Sequence, residues 1–335
     1  MCWLEYITIM SIIENTSNIN NNWPYHGSKL IPKEELKPFL KRDNISGLKH
    51  LFFHLLLIFA TGVSIYLSPS VYLTIPLMFI HGTFIAFLYA GLHECIHKTA
   101  FKNRKLNEIV GYLIGFILLR SFLNGRYRHI AHHTFTQHPE KDPDKVDFPD
   151  SYKEYFKHVT SFAIWTRIID NLYRHSLGKL TKSEIDYIPE SDTKMLFKET
   201  RIMVIGYICL ALFSVYFGTA FFLLYWLLPR IMGEPIVRLV RMVEHTGKDE
   251  TADMIHNTRT SFPSSILKFL YWNMPYHIEH HLYSNVPFHR LPKFHSIIKP
   301  HTDEVEPSIL SVHFEILKQI WKNKKSKNKE TILSQ

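Results

Sequence analysis

Cysteine is nearly absent from this chain of 335 residues: there are three, Cys2, Cys95 and Cys209. Three thiols cannot build the paired framework of a disulfide-stapled secreted domain. The first ten residues lack a basic segment followed by a long apolar run, so no cleaved secretory leader is expected. Charge is also missing, locally. Residues 51–93 contain no Lys, Arg, Asp or Glu, and neither do residues 202–229. The first of these stretches would make roughly 65 Å of helix, close to two crossings of a hydrocarbon core roughly 30 Å thick. Ser68-Pro69-Ser70 breaks it in the middle. The formal charge of +9 comes without a basic recognition helix or an aromatic-basic RNA motif. That excludes nucleic acid as a partner and assigns the surplus lysines to the flanks of an anionic membrane.

These gaps predict an all-α integral membrane protein with four transmembrane helices in two hairpins. The first hairpin covers about 51–92, with legs 51–67 and 71–92; the second covers about 202–236, with short legs 202–217 and 219–236 interrupted by Arg230, for which a re-entrant or tilted pair is the alternative. Lys29, Lys33, Lys37, Lys41, Arg42 and Lys49 precede the first hairpin, whereas the loops around 68–70 and Gly218 lack basic residues. The positive-inside rule then makes the protein multi-pass with both termini cytoplasmic. Residues 1–50 read as a polar lead with an Asn-rich tract at 18–22 and residues 51–300 as the membrane domain. Residues 93–201 and 239–300 form a cytoplasmic histidine-rich helical cap, and 301–335 a basic tail, disordered through its Lys322 to Lys329 run. The apolar run 109–122 is too short to span and belongs at the interface or in the core.

The 21 histidines are arranged rather than scattered. His93-Glu94-Cys95-Ile96-His97 places two imidazoles four residues apart. Arg128-His129-Ile130-Ala131-His132-His133 and Tyr276-His277-Ile278-Glu279-His280-His281 each contain HxxHH. On a helix, positions i, i+3 and i+4 share one face, so each triplet presents three rings together. All three clusters fall on the predicted cytoplasmic side.

HECIH alone has the form of a zinc-protease site, with the glutamate as general base on a metal-bound water. A single zinc takes three or four ligands, whereas eight converging imidazoles suit two metals. Imidazole accepts zinc, copper, iron or nickel, so ligand type does not choose the metal. A lipid environment offers C–H bonds more than hydrolysable groups, which favours an O2-activating iron pair. A haem-binding or other non-catalytic module would need only two axial histidines.

HECIH, HIAHH and HIEHH, in this order and with these hairpins, resemble the three histidine boxes of the membrane fatty acid desaturase and hydroxylase superfamily, over roughly residues 50–300. Gln137 to Asp144 is similar to the acidic turn that follows the second box. Asn273-Met274-Pro275-Tyr276 and Val286-Pro287-Phe288-His289 resemble a bacterial-type branch that contains desaturases of acyl chains and of smaller metabolites. The resemblance implies a non-haem centre of two iron ions, cycling between Fe2+ and Fe3+, with O2 as co-substrate. Its ligands would be His93, His97, His129, His132, His133, His277, His280 and His281, with His245, just after the last membrane helix, as a ninth. The acyl-CoA branch has an asparagine four residues before that ninth histidine; here the position is Arg241, so that ligand does not carry over.

Nine neutral imidazoles leave the metals' charge uncompensated, so carboxylates should accept the other ring N–H of the ligands. Glu94, Glu244 and Glu279 sit beside box histidines, and Asp142, Asp144 and Asp147 follow the second box. Neighbouring side chains diverge by about 100° on a helix, so each glutamate should serve a histidine of another box. His138, His256, His289 and His295 lack ligand spacing and take supporting or surface roles. His54 and His81 are expected to hydrogen-bond within the bundle; Tyr271, Trp272 and Tyr276 are expected to be interfacial aromatics, with the lining of a substrate entrance as the alternative. Asn257-Thr258-Arg259-Thr260 also resembles the bacterial branch, with a salt bridge or a headgroup contact as open roles and none assigned.

The implied reaction is O2-dependent insertion of a double bond into a fatty acyl chain. A hydroxylase or ketolase, or a desaturase of a carotenoid or small metabolite, shares every metal feature, and the HExxH zinc protease remains the third reading. No His-Pro-Gly-Gly haem-binding stretch is present, so electrons are expected from a separate ferredoxin or cytochrome.

Overall fold

A computed structural model of the chain describes Trp23, residues 30–302 and residues 307–333. The Asn-rich tract at 18–22 lies outside the described residues. Every regular element among the described residues is helical. α1 (Asn44–Tyr66) starts at Asp43, whose carboxylate accepts from Ser46 N at 2.6 Å, closing the first turn. α2 (Val71–Ile96) follows the Ser-Pro-Ser break. Both helices are long and apolar enough to cross a membrane. α1 turns Phe52, Leu55, Leu56 and Phe59 outward, as a lipid-facing surface would.

α3 (Arg104–Leu118) is capped by Asn103 and ends at Leu119 in the left-handed region. Ser121 immediately caps α4 (Phe122–Phe135), so the chain turns by 100° between the two. The pair would be a third span only if counted as one broken helix. α3 presents Val110, Ile114 and Leu118 to the core, the placement expected for the 109–122 run.

Next come α5 (Tyr152–Val159), α6 (Phe162–Ser176) and α7 (Lys182–Tyr187). α7 opens on a capping box in which Thr181 and Glu184 satisfy each other's backbone N–H. α8 (Glu190–Tyr216) carries the second apolar stretch. After a break at Gly218 (φ +59°) the chain forms a π-helical turn, Leu223–Leu227, and then α9 (Leu228–His245). The turn has a cause in the sequence. Pro229 has no N–H to offer the Tyr225 carbonyl, and His81 Nε2 donates to that carbonyl at 2.9 Å instead. His81 thereby ties α2 to α9, while Thr61 on α1 bonds its Nδ1 at 2.7 Å. His54 Nε2 donates to Phe84 O at 2.9 Å. Both membrane histidines hydrogen-bond within the bundle, as expected.

α2 and α9 cross where Gly82 meets Gly233. A Cβ on Gly82 would overlap the Pro229 carbonyl, and one on Gly233 the Gly82 backbone. Two side-chain-free positions allow the backbones to touch. Arg230, which interrupts the second apolar stretch, is buried and paired with Glu234, which also accepts from Arg120 at 3.0 Å.

α10 (His277–Leu282), α11 (Leu291–Ile298) and α12 (Ile309–Leu333) complete the described chain. The tail expected to be disordered through Lys322–Lys329 is instead helical to Leu333. Val312, Ile316 and Ile320 form a buried stripe that docks the helix onto the core.

Candidate metal centre

Four elements bring the histidines together. His93 lies on the last turn of α2, and His97 is its C-cap. His129, His132 and His133 share one face of α4, His245 ends α9, and His277, His280 and His281 occupy α10. Glu199 on α8 holds α4 in place. Its carboxylate accepts from Ser121 Oγ at 2.7 Å, Phe122 N at 2.5 Å and Leu123 N at 3.1 Å, an anion at the positive end of a helix. Sequence reasoning missed Glu199; a lone acid at the polar end of an apolar stretch was the only signal.

The nine imidazoles divide into two groups. His93, His97, His129, His133 and His280 have ligand atoms within 4.8 Å of one another. His132, His245 and His281 form a second such group, and His277 joins it through His245 and Glu244. In the first, Nε2 of His129 is 2.8 Å from that of His97 and 3.0 Å from that of His133, which is 3.0 Å from His280 Nε2. In the second, His245 Nε2 and His277 Nε2 are 3.1 Å apart. Nitrogens each about 2.1 Å from one ion, at right angles, would be about 3 Å apart. His93 Nε2 and His281 Nε2 are buried without a hydrogen-bond partner. A donor set of converging, orphaned imidazole nitrogens fits metal ions.

Hydrogen bonds orient the second group. His132 Nδ1 donates to Asp142 Oδ1 at 2.9 Å, and His245 Nδ1 to Asn257 O at 3.1 Å. His281 Nδ1 reaches Thr136 Oγ1 at 3.2 Å, whose own proton goes to His132 O. Each bond fixes the tautomer that leaves the Nε2 lone pair facing inward. Burial would lower His132, but the Asp142 carboxylate outweighs it and holds the ring above its usual value. Burial, then Arg42 and His132, hold His97 down at about 3. Burial and neighbouring rings keep His133, His280 and His281 well below the ordinary value, hence neutral and able to bind metal.

The carboxylates divide differently from the expectation. Asp142 does face a box histidine. Asp144 instead pairs with Arg128 at 2.7 Å; burial opposes its charge, yet Arg128 and Arg241 hold it well below the usual range. Asp147 is exposed, against Lys145. Glu94 accepts from Thr99 Oγ1 at 2.7 Å and Phe288 N at 3.2 Å, with its own neighbour His93 4.0 Å away, so it serves no histidine of another box. Glu279 accepts from Thr260 Oγ1 at 2.7 Å and His295 Nδ1 at 2.5 Å, again not from a box histidine. In both cases the roughly 100° divergence turns the carboxylate to the helix's outer packing face, where other donors compete for it. Glu244 lies 3.6 Å from His277 Nε2.

Three residues of the unassigned run 257–260 acquire roles. Asn257 supplies the carbonyl for His245, Arg259 Nη1 donates to the Val243 and Thr246 carbonyls at the end of α9, and Thr260 binds Glu279. Of the remaining histidines, His295 supports Glu279, His256 pairs with Asp253, His289 with Asp43, and His138 packs on Trp23. Tyr271, Trp272 and Tyr276 are buried rather than interfacial. Trp272 fills the space beside Gly91 on α2, reaches His54 on α1 and packs on Phe288, because the segment before α10 folds back against α1 and α2.

A cavity of about 120 Å³ opens beside His129. Leu92, Ile96, Ile164 and Ile168 make one side apolar, and Arg238 and Arg241 make another basic. Arg238 is buried, with its Nε lacking a hydrogen-bond partner.

A family model described as fatty acid desaturase matches residues 67–312. A fatty acid desaturase of Bacillus subtilis is 31% identical over 75 residues, 22% of this chain and 21% of that protein. An sn-1 oleoyl-lipid 12-desaturase of Picosynechococcus is 29% identical over 84 residues, 25% of this chain and 24% of the relative. An omega-3 fatty acid desaturase of Caenorhabditis elegans is 28% identical over 93 residues, covering 26% and 23%. The alignments thus span less than a quarter of the length of each relative.

Proposed function

Because the chain belongs to the fatty acid desaturase family, we propose that it is an O2-dependent membrane desaturase that introduces a double bond into a fatty acyl chain at a histidine-held pair of irons. The observation that carries this reading is the division of nine clustered imidazoles into two adjoining donor groups. Two irons bound there would supply the reduction of O2 to two waters, using two electrons from a donor, two protons from solvent and two hydrogens from adjacent methylenes. His93, His97, His129, His133 and His280 would hold one; His132, His245, His277 and His281 would hold the other. Asp142, Asn257 and Thr136 aim three of those rings, and Glu199 fixes the helix that carries His129, His132 and His133.

Ligand count argues against the zinc-protease reading: one zinc takes three or four ligands, and His93 and His97 are two of five imidazoles in a single group. The cavity beside His129 suits an acyl chain along Leu92, Ile96 and Ile164, with an anionic end against Arg238. Whether desaturation or hydroxylation follows depends on how this cavity places carbon against metal, on a scale of about 1 Å.

The proposed topology has four spans in two hairpins with both termini cytoplasmic. Support for the second hairpin is the outward face of α8, with Ile202, Ile205, Ile208 and Leu212 exposed, and that of the following segment, with Phe221, Leu223 and Ile231. Electrons would come from a separate ferredoxin or cytochrome on the cytoplasmic side.

The test is expression in a host without desaturases, followed by lipid profiling with and without O2. A new double bond that requires O2 and disappears with His133→Ala is expected. A hydroxylated product would reassign the outcome of the chemistry, and unchanged lipids together with one zinc per chain would overturn the reading.

A further inference from the structure

We propose that Glu244 is itself a metal ligand, giving the second site four imidazoles and one carboxylate while the first keeps five imidazoles. The inference rests on the two-metal reading above. Glu244 precedes His245 on the last turn of α9 and is buried. One carboxylate oxygen is committed: Oε1 accepts from Tyr271 OH at 2.5 Å. The other is not. Oε2 lies 3.6 Å from His277 Nε2 and 3.9 Å from Arg241 Nε, both too long for hydrogen bonds.

These distances suit a shared ion. Ligand atoms about 2.1 Å from one metal are separated by about 3 Å when cis and at most about 4.2 Å when trans. The 3.6 Å between Glu244 Oε2 and His277 Nε2 and the 3.1 Å between His277 Nε2 and His245 Nε2 lie within those bounds. Glu244, His245 and His277 together bring their ligand atoms within 4.8 Å of one another.

Charge points the same way. The first group meets no carboxylate oxygen closer than Glu94, 4.0 Å from the outer nitrogen of His93, among the described residues. The second already has Asp142 behind His132. A carboxylate on the ion would concentrate negative charge at the second metal and make the two sites electronically unequal, with the more oxidised state favoured at the carboxylate-bearing one. Tyr271 then has a defined part: by binding Oε1 it holds the carboxylate to a single donor atom and keeps it from chelating through both oxygens.

Iron content and Mössbauer spectra of the full chain, purified from 57Fe-grown cells, test this. The native protein should hold two irons with two distinct quadrupole doublets. Glu244→Gln should lose iron from one site, or alter one doublet while the other stays unchanged. Glu244→His restores a donor atom and should return the count to two, with the same doublet displaced. Tyr271→Phe should keep both irons, because the ligating oxygen is not the one it binds. Two irons with both doublets unchanged in Glu244→Gln would overturn the proposal, as would a Glu244→His variant no better loaded than Glu244→Gln. Native protein devoid of iron would instead overturn the metal reading beneath it.

Discussion

Asp142 gathers three donors at once: His132 Nδ1 at 2.9 Å, Gln137 N at 2.9 Å and Asp144 N at 2.8 Å. The carboxylate therefore closes the turn after α4 and sets the tautomer of His132 with the same two oxygens. An amide in its place must turn a donor toward one of those N–H groups. Asp142→Asn is expected to weaken iron binding by about 10- to 100-fold, the usual consequence of losing the partner behind a ligating imidazole. Metal titration of the solubilised apoprotein measures it; an unchanged affinity would remove Asp142 from the support of the site.

At the scale of elements, the contact of α2 with α9 matters most, because those helices deliver His93, His97 and His245 to one place. Their backbones touch at Gly82 and Gly233, and His81 satisfies the carbonyl that Pro229 frees. Gly82→Ala forces the helices apart and should cost about 1–3 kcal/mol, the range for overfilling a packed interior. Gly62 gives the control: a Cβ there meets only His81 Cε1 at 3.5 Å, an ordinary contact. The thermal unfolding midpoint in detergent should fall for Gly82→Ala and stay close to native for Gly62→Ala. Equal shifts would mean that the crossing tolerates side chains.

For the whole molecule, the surplus of positive charge bears on partners. The formal charge of +9 counts every histidine as neutral, so the excess resides in lysines and arginines. An acidic electron donor would be steered to such a surface, and salt shortens the reach of that field to about 8 Å at physiological ionic strength. Donor-dependent turnover should therefore decline as ionic strength rises, with the loss in the rate at limiting donor rather than at saturation. Insensitivity to salt with an acidic donor would assign docking to apolar contact instead.

The sequence by itself determined the helical class, two helices long and apolar enough to cross a membrane, the break at Gly218 and the identity of the clustered histidines. Those features depend on local rules: charge-free length, the 3.6-residue period and the spacing i, i+3, i+4. Asp142 was legible for the same reason, being only ten residues from His132. What tertiary structure decided is the pairing of groups distant in sequence. Which histidines share a group, that Glu94 faces Thr99 and Glu279 faces His295, that Asn257 orients His245, and that Glu199 caps α4 all depend on how separate helices meet. A helix period gives the direction of a side chain but not the donor waiting there, because that donor arrives from another part of the chain.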